Sequence, residues 1–180
     1  MKNRILYAFI AVLFIGVNAG AQTGAPKIGF TSTEYILSLL PAAKEIQKEL
    51  SDYNDQLSAQ MKAKEKTFQE KFAAYQQTAN TMTELIKKDK ERELQSLEAS
   101  LRQFQQDAQT SFADKQQKLL EPLLEEIRVA IQKVAEENNF THILNSSTGG
   151  LDVLLYAKEE YDVSNLVLAK LGVQPPSTNN

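Results

Sequence analysis

Between Ile46 and Val134 apolar residues return every eleven positions. One series runs Ile46, Leu50, Tyr53, Leu57, Met61, Lys64, Phe68, Phe72, Tyr75, Ala79, in steps of 4, 3 and 4. Further on, Leu101, Phe112, Leu123 and Val134 form one row, and Leu97, Ala108, Leu119 and Ala130 another. An eleven-residue repeat is about 3.67 residues per turn, so these segments are expected as long helices, nearly straight or with slight right-handed coiling. Lys64 and Lys115 interrupt the rows, but their aliphatic stems can still cover apolar surface. Gln, Lys, Glu, Ala and Leu dominate residues 42–138, the composition of a long helix or coiled coil.

The rows lapse around Thr78–Thr83, where Thr78, Asn80, Thr81 and Thr83 are weak helix formers. Thr81 and Glu84 have the spacing of a capping box. This predicts a hairpin over 44–118 with its tip near 78–84, against the alternative of one uninterrupted helix. With a tip at Thr81, residue numbers facing across the arms add to about 162, which sets Leu50 against Phe112, Met61 against Leu101, Phe68 against Leu94 and Tyr75 against Ile86. Pro41 suits a first helical turn, and Pro122 is expected to bend the second helix where arm becomes base.

Around the hairpin the pattern changes. Strands are expected at 27–30, 140–145 and 152–157. Asn138 and Asn139 should end the long helix, Asp162 should cap a last helix over 163–171, and Gly172 should lie beyond its end. The fold class is therefore α+β, mainly α. A small sheet is marginal alone, and these strands are apolar on both faces at Ile143, Leu144, Val153, Leu154 and Leu155. Edges of that kind invite pairing with another chain. Residues 22–43 and 119–173 are thus expected as an assembly body that pools strands from several copies. Residues 174–180 are expected as a disordered tail.

Lys2 and Arg4, an apolar run from Ile5 to Val17 and the small triplet Ala19, Gly20, Ala21 have the layout of a signal peptide over 1–21, with an uncleaved anchor as the alternative. There is no Cys, which excludes a lipoprotein anchor and disulfides, and export points to the periplasm, with secretion as the alternative. Without Lys2 and Arg4 the chain holds 18 Lys and Arg against 23 Asp and Glu, a net charge of −5 that calls for no nucleic-acid partner. Residues 60–92 hold eight Lys and Arg against five Asp and Glu, so the tip alone is basic.

Catalytic chemistry is sparse. The one His, His142, has no second His to share a metal, and Ser147–Gly150 is a turn before a strand rather than a phosphate loop opening a helix. No enzyme activity and no cofactor are expected.

The order of parts, carried by "KIGFTSTEYILSLLPAAKEIQKEL", "LLEPLLEEIRVAIQKVAEENNFTHILN" and "LLYAKEEYDVSNLVLAKLG", resembles the Skp/OmpH family of periplasmic chaperones. The resemblance implies a homotrimer with a β-barrel body and three long tentacles around a cavity. It also implies an ATP-independent holdase for unfolded outer-membrane β-barrel proteins. The best-known members are strongly basic and this chain is acidic, so at most weak peripheral contact with an anionic membrane surface is expected. Phe72, Met82 and Leu85 fit the seam less well than Phe68 and Tyr75 and are the candidate client contacts. Lys87, Lys88, Lys90 and Arg92 are the candidate basic tip, and Ile143, Leu144, Val153, Leu154 and Leu155 the candidate assembly residues. The rival reading is a trimeric coiled-coil spacer of the cell envelope that holds no client.

Overall fold

The computed structural model describes residues 25–175. The expected signal peptide over 1–21, and residues 176–180 of the expected tail, lie outside them. Strand β1 (Ile28–Thr31) opens the described chain, and helix α1 (Thr33–Leu39) follows. Ser32 Oγ accepts from the Tyr35 N–H at 3.1 Å and so caps α1. The sequence reading placed no helix here, because seven residues are too few turns to show a period. Leu40 is extended (φ −75°, ψ 128°), as a residue before proline prefers, and this ends α1. Pro41 then opens α2 (Pro41–Thr78) at a position that needs no N–H.

Helix α3 (Glu84–Glu137) returns along α2 and runs through Pro122 as one element. Each α2 arm of 38 residues spans about 57 Å at ~1.5 Å per residue. The reversal differs in detail from the expected one. Ala79 is still helical, and the Thr81 N–H bonds the Thr78 carbonyl at 3.0 Å. The chain reverses over residues 79–83, ending in the extended Thr83, and Thr83, not Thr81, is the N-cap of α3. The midpoint therefore moves beyond Thr81. Cross-arm contacts such as Glu49–Lys115, Lys71–Glu93, Tyr75–Glu91 and Lys64–Phe104 have numbers adding to 164–168 rather than 162. Leu50 still shares a groove with Phe112, but Met61 shares one with Phe104, about one turn from the expected Leu101.

The core lies in the base. On α3 it is built from Leu123, Ile127, Ala130 and Val134, again in steps of 4, 3 and 4. Ile36 and Leu40, with Val163, Val167 and Leu168, complete the same cluster. No residue of α2 is buried.

Strand β2 (His142–Asn145) pairs parallel with β1, Ile28 opposite His142 and Thr31 opposite Asn145. Parallel strands need a long crossover, and here the whole hairpin is that crossover. The second edge of β1 is taken by Phe30 bridging to Asp162. Gly29 permits the close packing, since a Cβ there would come within 2.9 Å of the Phe140 ring. Asn139 (φ 55°) turns the chain after α3.

The expected strand 152–157 is largely absent. Strands β3 (Ser147–Thr148) and β4 (Leu151–Asp152) form a two-residue hairpin through Gly149 and Gly150, both at positive φ as a tight primed turn requires. Beyond it, the Val153 and Leu154 N–H groups both reach the Ser146 carbonyl, and Val153–Lys158 has no strand partner. One chain provides no neighbouring strand for this apolar run. A single 3-10 turn (Glu159–Tyr161) leads to helix α4 (Ser164–Lys170), one residue shorter at each end than expected. Asp162 Oδ1 accepts from the Ser164 N–H at 2.8 Å, and the buried hydroxyls of Thr31 and Ser164, 2.9 Å apart, tie β1 to α4.

An acid-sensitive contact joins the arms near the tip. Hydrogen bonds from the Lys71 and then the Lys90 ammonium hold the Glu93 carboxyl below its ordinary value of 4.5. A depressed carboxyl contributes stability above its unfolded pKa and loses that contribution as pH falls through the folded value. The protection of amides near Lys71, relative to their intrinsic exchange at each pH, should therefore fall on acidification below about pH 4.5, and Glu93→Gln should remove that pH step. An unchanged pH profile in the variant would show that the contact ties nothing together.

Candidate functional site

Two apolar surfaces stand out, one half-buried and one largely exposed. The first is a trough along the base-proximal half of the hairpin. It consists of two grooves of about 350 and 430 Å³ that share Asn54 and Phe112. Leu50, Leu57, Met61, Phe104, Ala108 and Phe112 supply most of its apolar lining, with Ala43, Ile46 and Leu120 at the base end. Gln47, Ser51, Asn54 and Ser58 line one side and Gln105, Gln109 and Gln116 the other. No lining residue of either groove is charged, although 24% of the chain is Asp, Glu, Lys or Arg. The ammonium of Lys64 sits 5.4 Å from the Phe104 ring centroid and that of Lys115 is 2.6 Å from Glu49, and neither lysine lines the trough.

The sequence reading missed this row, yet it was visible. Gln47, Ser51, Asn54 and Ser58 repeat the 4, 3, 4 steps of the seam, displaced by one residue from Ile46, Leu50, Tyr53 and Leu57. Gln105, Gln109, Phe112 and Gln116 do the same on the other arm.

The candidate client residues at the tip do not form one patch. Phe72 is 41% exposed and stacks on Phe68 with centroids 6.0 Å apart. Met82 is half-buried in the turn, while Leu85 is 80% exposed in the first turn of α3. Of the four tip cations, Lys90 pairs with Glu93 at 3.0 Å and Arg92 with Asp89 at 3.9 Å. Lys87 and Lys88 have no ion pair among the described residues. The Tyr75 hydroxyl donates to Glu91 at 2.6 Å, and that bond to a carboxylate raises the phenol's pKa.

The second surface is in the base. Alternation along β2 separates the candidate assembly residues: Ile143 packs against the chain's own core, whereas Leu144 is exposed. Val153 and Leu155 are exposed with Leu151 and Tyr156, and Leu154 is half-buried. A polar clamp holds the loop that presents them. Glu34 accepts from the Gly150 N–H at 3.3 Å and from Ser147 Oγ at 3.4 Å, and Asn145 Oδ1 accepts from the Thr33 N–H at 3.0 Å.

His142 is exposed on β2, with its Nδ1 3.2 Å from Thr141 Oγ1. Among the described residues no three His, Cys, Asp or Glu side chains group to hold a metal, and no helix is long and apolar enough to cross a membrane.

Residues 27–171 match the family described as outer membrane protein (OmpH-like). The chain belongs to that family. Its fold is similar to the crystal structure of a candidate outer membrane chaperone (OmpH-like) from Caulobacter crescentus, with a TM-score of 0.70 at 15% identity, covering 87% of this chain and 90% of that one. At that identity the likeness concerns the fold. No curated protein matches the chain.

Proposed function

We propose that this OmpH-like chain is an ATP-independent holdase of the periplasm, which binds unfolded outer-membrane proteins and prevents their aggregation. It works as a homotrimer, with three hairpins around a shared space. Family membership and the chaperone description of the Caulobacter relative support a chaperone role. The observation that carries the reading is the open seam: over 38 residues α2 buries none, and apolar side chains stay accessible along the arm. A mere spacer gains nothing from an unfilled seam, since every half-exposed apolar group forfeits about 25 cal/mol per Å² left in water. A holdase needs such groups, weak and numerous, so that binding is avid and each contact reversible.

The test is to dilute a urea-unfolded outer-membrane β-barrel protein into buffer with the exported form and no nucleotide. Scattering should fall as the chaperone is added. Undiminished aggregation at several-fold excess would leave the spacer reading.

The basic tip acts in capture. Lys87 and Lys88 should steer acidic client segments, an effect on association rate that salt screens. Replacing Lys87, Lys88, Lys90 and Arg92 with Gln should slow capture about tenfold at low salt and leave it nearly unchanged at high salt. Stopped-flow capture at two ionic strengths measures this, and equal rates at low salt would remove the tip from the mechanism.

A further inference from the structure

We infer that Glu34 is a positioning residue for assembly: its carboxylate fixes the loop that carries the exposed apolar run before a second copy of this chain arrives. This rests on the homotrimer reading above and adds which side chain readies the surface where copies meet.

The loop has little of its own to hold it. The β3–β4 hairpin has two residues in each strand, and Gly149 and Gly150 between them sit at positive φ in open space. A hairpin that short does not order itself in water. Leu151, Val153, Leu155 and Tyr156 follow directly and are 63–91% exposed, so no core packing fixes them either.

Glu34 grips the hairpin on both sides of its turn. A carboxylate only accepts, so the Ser147 hydroxyl before the turn and the Gly150 N–H after it both donate to it, at 3.4 and 3.3 Å. That sets the direction of the neighbouring bonds. With its proton given to Glu34, Ser147 Oγ accepts from Ser32 Oγ, 3.1 Å away, and Ser32 Oγ in turn accepts from the Tyr35 N–H as the cap of α1. Asn145 adds a second tie, its Oδ1 accepting from the Thr33 N–H and its Nδ2 donating to the Ser147 carbonyl. Helix α1 is anchored in the core by Ile36, so the exposed Glu34 ties the loop to the core without being part of it.

The consequence is energetic. A free loop has to be ordered when copies meet, whereas a held one is ordered in advance, and preorganisation strengthens binding by removing that cost. Fixing the backbone of a single residue costs about tenfold in an equilibrium. Each copy of a trimer incurs it, which multiplies to about a thousandfold in the dissociation constant.

Three variants of the exported form separate this role from a plain effect of charge on α1. Glu34→Ala removes the grip. Glu34→Gln keeps it without the charge, since an amide accepts from Gly150 and donates to Ser147. Glu34→Asp keeps the charge but is one methylene too short to reach both sides of the turn. Sedimentation velocity over a concentration series reads assembly, and circular dichroism reads helicity. The Ala and Asp variants should raise the trimer dissociation constant by about a hundredfold or more at unchanged helicity, and the Gln variant by less than about tenfold. Loss of assembly with Gln but not with Asp would make charge the cause and overturn the inference. Assembly of Glu34→Ala at the parent's strength overturns it too and leaves the trimer reading intact. A parent that is monomeric at every concentration overturns both. Amide exchange in the single chain gives a readout free of assembly. In the Leu155→Glu background, Glu34→Ala should lower the protection of the Gly150 and Val153 amides by about fivefold or more. Unchanged protection overturns the inference whatever the oligomeric state.

Discussion

Ile127→Ala should destabilise the base by about 2–5 kcal/mol, the usual cost of truncating a fully buried aliphatic side chain. Ile127 is 1% exposed and sits among nine buried apolar residues that make up the core. Those nine join α1, α3 and α4, and the parallel pair β1–β2 packs beside them through Ile143. A core this small has little in reserve, because the net stability of a domain is only ~5–15 kcal/mol. The same truncation at Leu57 should cost about 1 kcal/mol or less, since that side chain is already half in water along the open seam. Urea unfolding of the two variants measures the difference. Similar midpoints would show that the seam is as closed as the core, which would undercut the holdase reading as well.

The long helices were legible because their eleven-residue period recurs many times, and each recurrence is an independent sign of the same face. The row Leu123, Ile127, Ala130, Val134 is the part of that period that finds a core. Local chemistry was legible where one residue decides the backbone. Pro41 opens α2, Asn139 takes a positive φ after α3, and Gly172 does so after α4. The register of the hairpin was less so. Weak helix formers mark a turn region, but either Thr81 or Thr83 could cap the next helix by residue type, and Thr81 instead turns its hydroxyl to the Thr78 carbonyl. The strand expected over 152–157 failed for a different reason. Alternation and β-propensity report that a segment suits a sheet, and say nothing of whether its own chain supplies the neighbour. The uncharged rim was not legible because a polar row on a helix is ordinarily a solvated face. Only its position beside apolar floor residues, shown by the shared grooves, distinguishes Asn54 or Gln109 from any other surface amide.

Glu at Leu155 or Val153 should abolish assembly while leaving the single chain folded. Within one chain Leu155 is 91% exposed and Val153 63%, so a carboxylate there loses no hydration and disturbs no packing. On assembly into a trimer through this surface, each copy would desolvate its own carboxylate. The penalty is on the order of several kcal/mol per ion, and a threefold assembly incurs it three times, enough to move dissociation by many orders of magnitude. The neutral control Leu155→Gln should weaken assembly by far less, because its amide can find a partner or keep a water. Sedimentation velocity at micromolar concentration gives the oligomeric state, and circular dichroism reports whether the helices persist. An Ile143→Glu variant should behave differently: Ile143 packs on the intrachain core, so the charge should unfold the base itself. If Leu155→Glu sediments like the parent, the exposed segment after β4 is not where copies meet. If the parent is itself a folded monomer at that concentration, the apolar surface of the base serves some other partner, and the shared space between hairpins does not exist.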